Sequence, residues 1–264
     1  MCQHHVCRSI QMNRRELIRL AGAGTLAATT GCLGALGGGG NENTVLSPPE
    51  NYELLRDAEL PYPVYGEPLP EATIEAPLRD TEVSTREFVG ERHVLLTFIF
   101  TRCVGVCPGL TANLVQVQAE AAERGYTDDV ALLAVTFDPV YDTEEVLREY
   151  ADNMGINRDA GNFYLLRPDG EKRSREVVEE TFGHGYEKTE LYEPTGELEH
   201  NHGGNEGNRS GGGTGGGNGE PQQPFAHQPL FLVANSEGYV ERSYGNSSPT
   251  PNTVIEDVNE LVDA

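Results

Sequence analysis

The 264-residue chain reads as an α/β protein with a central mixed sheet flanked by helices. Three observations predict it. Val94 to Phe100 (VLLTFIF) and Val130 to Phe137 (VALLAVTF) are continuous apolar runs rich in β-branched and aromatic residues, the pattern of strands buried on both faces. Each run is followed by a segment of helical period, and this βαβα order favours a parallel core covered by helices. A third apolar run, Leu230 to Ala234, is joined to Tyr239–Tyr244 through the turn Ser236-Glu237-Gly238, so an antiparallel hairpin completes the sheet.

Taken from the start, residues 1–32 look like an address. Asn13-Arg14-Arg15-Glu16-Leu17-Ile18 precedes a short apolar, small-residue run that ends at Thr30-Gly31-Cys32. Paired arginines, a short apolar stretch and a small residue before cysteine describe a twin-arginine export signal with a lipoprotein cleavage site. Cys32 is then the expected lipid anchor, placing the protein on the external face of the cell membrane. Met12 is the more natural start than Met1, which leaves Cys2, His4, His5 and Cys7 without a role. Residues 33–68, rich in Gly, Pro, Glu and Asn, read as a flexible tether, and residues 69–264 as the folded domain.

Within that domain, the strand Val94–Phe100 runs into Thr101-Arg102-Cys103-Val104-Gly105-Val106-Cys107-Pro108. A helix should start at the end of this loop, because Pro108 suits a first turn and Leu110, Leu114, Val117 and Ala121 recur at helical spacing. Thr143–Met154 is a second helix, capped by Asp142 or Thr143, and the charged Ser174–Phe182 is a third. From about 183 to 224 the sequence turns to Gly, Glu, His, Asn and Pro without apolar period, which predicts a long surface loop. Val254–Val262 closes the chain as an amphipathic helix.

Charge narrows the function classes. With 19 basic residues against 42 acidic ones, and lysine only at 172 and 188, no basic patch exists to displace counterions from phosphates, so nucleic acid is an unsuitable partner. A strongly acidic, lysine-poor surface suits solubility in concentrated salt, where screening removes self-repulsion, and points to a salt-adapted source.

The chemistry gathers at the carboxyl edge of the sheet, where open α/β folds place ligands. Of five cysteines only Cys103 and Cys107 lie in the folded domain. In an exported protein such a pair can be a structural disulfide. The start of the helix favours thiolate at Cys107, and two soft thiolates at one point select Cu(I), which a nearby imidazole extends to Cu(II). His227, just before the strand Leu230–Ala234, is the candidate imidazole. Asp138, at the end of the second strand, can orient a ligand from behind, although Asp before Pro is also a common turn opener.

Phe88-Val89-Gly90, the strand Val94–Phe100, Cys103-x-x-x-Cys107-Pro108, Asp138-Pro139-x-x-Asp142-Thr143 and His227 ahead of an apolar strand together resemble the Sco/SenC family, from about residue 69 to 264. The resemblance implies a thioredoxin-like fold outside the membrane and a metallochaperone-like role in assembling the copper centre of a haem-copper oxidase. Carried over, Cys103, Cys107 and His227 become the copper ligands, Asp138 takes the place of the family's aspartate, and a copper-receiving oxidase subunit is the partner. The 183–224 segment is longer and richer in glycine than the family's, so His184, His200 and His202 compete with His227 as ligands. The rival function is a thiol-disulfide oxidoreductase in which Cys103 and Cys107 cycle without metal. A peroxidase is a third reading, hinted at only by Arg102 beside Cys103.

Overall fold

A computed structural model of the chain describes residues 42–190 and 224–264. The export signal, Cys32, the first part of the expected tether, and His200 and His202 lie outside the described residues. No helix among the described residues is long and apolar enough to cross a membrane.

The core is a five-stranded sheet in the spatial order β5-β4-β3-β8-β9. Its central strand β3, His93–Ile99, has all seven residues buried and pairs in parallel with β4, Val130–Thr136, in the register Leu96↔Leu133. On the far side of β4 lies β5, Phe163–Leu166, also parallel. The other edge is antiparallel: β8, Phe231–Ala234, pairs with β3, and β9, Val240–Tyr244, pairs with β8. The sheet is therefore mixed, as its two kinds of apolar run predict.

The first of the main helices, α2, Cys107–Arg124, connects β3 to β4 and buries Leu110, Leu114, Val117 and Ala121. It follows a short helix α1, Tyr52–Arg56, near the start of the described chain. Gly125 ends α2 at φ +84°, a conformation open to a residue without a side chain. Helix α3, Glu144–Met154, is capped by Thr143, whose side chain accepts from the Val146 amide, so of the two predicted caps the threonine does the capping. Helix α4, Gly170–Arg175, passes directly into a π-helical stretch, Glu176–Thr181, in place of one regular helix over 174–182. Helix α5, Pro251–Val262, packs on α2 and starts three residues before the expected point, capped by Thr250.

Two elements depart from the sequence reading. Part of the stretch read as tether is packed: Leu46 is buried, the Val45 and Leu46 amides donate to the buried Glu241 carboxylate, and Tyr65 donates to the Leu46 carbonyl. The ends of the 183–224 loop also pair, as β6, Tyr186–Lys188, and β7, Phe225–His227. Buried Tyr186 and Phe225 tie this ribbon to Phe137 and Phe100. A further hairpin, β1 (Thr73–Ala76) with β2 (Thr81–Ser84), turns through Asp80 at φ +51° and had no obvious sequence signal.

Gly183 fixes how the ribbon begins. It sits at φ +70°, and an added Cβ would fall 1.9 Å from the Pro61 carbonyl oxygen, so no other residue fits without moving the backbone.

Candidate metal centre

Strand β3 delivers its carboxyl end, through Phe100 and Thr101, into the loop that carries Cys103. The Cys103 amide donates to the Phe100 carbonyl, which turns the chain back towards the helix. Cys107 is the first residue of α2 and is fully buried, while Cys103 is nearly so. His227 ends β7 opposite Tyr186 in register. Its Nε2 lies 3.9 Å from the Cys103 Sγ and 3.6 Å from the Cys107 Sγ. All three donor atoms lie within 4.8 Å of one another.

The fit to a metal can be tested on these distances. An ion about 2.3 Å from sulfur and about 2.0 Å from nitrogen, with angles of about 109–120°, requires S···N separations of about 3.5–3.7 Å. The separations of 3.6 and 3.9 Å meet that with almost no rearrangement. The tautomer also suits: His227 Nδ1 is 3.2 Å from the Gln228 carbonyl oxygen, which only accepts. Nδ1 therefore carries the hydrogen, and the Nε2 lone pair faces the sulfurs.

The thiols are not equivalent. The Cys107 S–H donated to Cys103, with further help from the Cys107 and Gly105 amides, pushes the Cys103 thiol down to about 4 despite its burial. Burial, and then the charge forming on Cys103, push Cys107 up. The start of the helix predicts the thiolate on Cys107, but full burial of Cys107 outweighs the helix field and leaves Cys103 the more acidic thiol.

Beneath the cysteines, two aspartates hold the loop. Asp138 is buried and accepts from the Arg102 guanidinium at 2.6 Å, while the guanidinium lies over the Tyr141 ring at 4.0 Å. Asp138 thus acts on Arg102, the residue before Cys103, and Arg102 is engaged as a structural cation. Asp142, read from the sequence as a possible cap, is instead fully buried and accepts from the Thr101 and Thr136 hydroxyls and the Thr101 amide. Burial pushes its carboxyl up to about 7 against those hydrogen bonds. Its only sequence signal is its place four residues after Asp138.

The imidazole stands in an aromatic box. Phe137 lies 5.1 Å from the His227 ring centre, Phe100 5.5 Å, and His184 5.9 Å. His184 is buried, stacks on Phe98 at 4.9 Å with the rings 12° apart, and is pushed down to about 3, first by burial and then by His227. Of the four histidines weighed as ligands, the structure brings His227 to the thiols and His184 beside it. Phe100 and Phe137 directly follow β3 and β4, His184 precedes β6, and no local pattern marks them.

Residues 78–204 match the family model described as SCO1/SenC. Among solved structures the chain is similar to a SCO1/SenC family lipoprotein from Bacillus anthracis str. Ames, at 20% identity over 77% of this chain and 99% of that one, with a TM-score of 0.54. It is also similar to BsSco, described as a member of the Sco family of cytochrome c oxidase assembly proteins with a disulfide switch, at 21% identity over 76% and 97% of the two chains and a TM-score of 0.51. At such identities these likenesses show the fold, which is the thioredoxin-like one. No curated protein matches the chain. The SCO1/SenC model over residues 78–204, the shared fold and the cysteine loop agree with one another.

Proposed function

We propose that this protein binds copper through Cys103, Cys107 and His227 and acts as a metallochaperone-like factor in assembling the copper centre of a haem-copper oxidase. The observation that carries the reading is the meeting of three soft or borderline donor atoms, from two distant parts of the chain, within 4.8 Å of one another. Two thiolates select Cu(I) over hard ions, and the imidazole lets the same pocket hold Cu(II). A Cys103 sulfur that ionises easily lowers the competition from protons at neutral pH. Asp138, through Arg102, and Asp142, through Thr101, keep the cysteine loop in register with the strand end. The SCO1/SenC match and the assembly role stated for BsSco support an oxidase subunit as the receiving partner.

The same reading places the domain at the external face of the membrane, anchored by lipid on Cys32 with the residues after it as the tether. The support is the arginine pair and small-residue run in the sequence, and the name of the Bacillus anthracis relative as a lipoprotein.

Titration of copper into reduced protein lacking residues 1–31 tests the ligand set. One equivalent should bind, with a thiolate-to-Cu(II) absorption band. Cys103→Ser and Cys107→Ser should abolish the band, and His227→Ala should weaken Cu(II) more than Cu(I). If His227→Ala binds both ions like wild type, the assignment is wrong. One observation favours thiol-disulfide exchange as a second role: an acidic Cys103 beside a buried, protonated Cys107 is an attacking and a resolving thiol in order. That role predicts that His227→Ala still reduces a small disulfide at the wild-type rate.

A further inference from the structure

We propose that His184 is a second imidazole of this metal centre, completing a four-donor set with Cys103, Cys107 and His227 when the ion is Cu(II). The inference rests on the copper reading above. Cu(I) is satisfied by three soft donors, whereas Cu(II) favours a tetragonal set, which the three-atom cluster leaves one donor short.

His184 has the burial, position and unused nitrogen that this role needs. Its side chain is buried, and its Nε2 has no hydrogen-bond partner among the described residues. A buried polar atom without a partner is uncommon in folded proteins and calls for an explanation. An apolar residue would fill the same place against Phe98 and Phe137 without that penalty. The His184 and His227 ring centres are 5.9 Å apart at 62°. Two imidazoles sharing an ion, each ring centre about 3 Å from the metal, lie about 5–6.5 Å apart. Both rings also line one cleft of about 730 Å³ beside Tyr62, Gly183 and Pro229.

His184 stands outside the three-atom cluster, so joining it requires a movement towards the thiols. A ring stacked on Phe98 can slide across that face while keeping contact. The other buried acids near the loop already accept from side chains, Asp138 from Arg102 and Asp142 from Thr101 and Thr136.

The test counts histidine nitrogens coupled to Cu(II) by pulsed electron paramagnetic resonance, in the full chain labelled with ¹⁵N-histidine, loaded with one equivalent of Cu(II), in a His4→Ala/His5→Ala background. Two coupled imidazoles are expected, falling to one in His184→Leu and to one in His227→Ala. Cu(II) affinity in His184→Leu should fall about tenfold or more, with the thiolate band retained. A single coupled imidazole before any further substitution overturns the proposal and leaves the copper reading standing, and this measurement does not depend on whether the leucine variant folds. Loss of the second nitrogen in His200→Ala/His202→Ala, with none lost in His184→Leu, also overturns it. Absence of any thiolate-to-Cu(II) band in that same background overturns the copper reading itself.

Discussion

Replacing Asp138 by Ala tests whether the cysteine loop is held from beneath by a buried ion pair. The Arg102 and Asp138 side chains meet at 2.6 Å with 9% and 0% of their surfaces exposed. At that distance the Coulomb attraction is about 6 kcal/mol for an effective dielectric constant of about 20, and the cost of burying both charges offsets much of it. Removing only the carboxylate leaves the guanidinium buried, with the Tyr141 ring as one remaining partner. The expected loss is about 3–5 kcal/mol, or a fall of about 6–20 °C in Tm for a domain of this size. Replacing both partners, as Arg102→Met with Asp138→Leu, should recover most of that loss, because no buried charge remains. The assay is urea unfolding of the reduced, metal-free protein, for the two single variants and the double. High salt should change the Asp138→Ala loss little, since buried pairs are weakly screened. A loss below about 1 kcal/mol would mean that the pair behaves like an exposed salt bridge, and the proposed clamp on Cys103 would have to be abandoned.

Two further outcomes follow from the same geometry. Asp142 is raised to about 7 in the folded state by burial, above its unfolded value of 3.8, so its contribution to stability is full below pH 3.8 and is lost as pH rises towards 7. Asp142→Asn should flatten that part of a stability-against-pH curve, and an unchanged slope between pH 4 and 7 would rule out Asp142 as its source. Gly183→Ala should cost about 2 kcal/mol or more in urea unfolding and weaken Cu(II) binding, because the new Cβ meets the Pro61 carbonyl oxygen at 1.9 Å and displaces the foot of β6; wild-type stability would show that the backbone there yields freely.

The parts of the fold legible in the sequence are those with strong, local patterns. Strands β3 and β4 are apolar at nearly every position, and α2 carries a proline at its start, a helical apolar period and a glycine at its end. Strand β5 and the β1–β2 hairpin escape notice because four residues give no period, and because Asp80 rather than glycine takes the left-handed turn. The β6–β7 ribbon is harder still, since its two three-residue strands flank the long Gly-rich segment and are defined by burial of Tyr186 and Phe225 against distant strands. At the site, Cys103, Cys107 and His227 are visible from spacing and resemblance. The identity of the acidic thiol is not, because the sequence shows the helix start but not the full burial of Cys107. His184 reads as a loop residue until Phe98 of β3 and Phe137, just past β4, are seen to pack against it.

X-ray absorption at the copper edge of the Cu(I)-loaded protein tests the central claim most directly. The account predicts a first shell of two sulfur atoms and one imidazole nitrogen, with the sulfur count reduced to one in Cys103→Ser and the imidazole scattering lost in His227→Ala. A shell of nitrogen and oxygen alone, or one unchanged by either substitution, would contradict it.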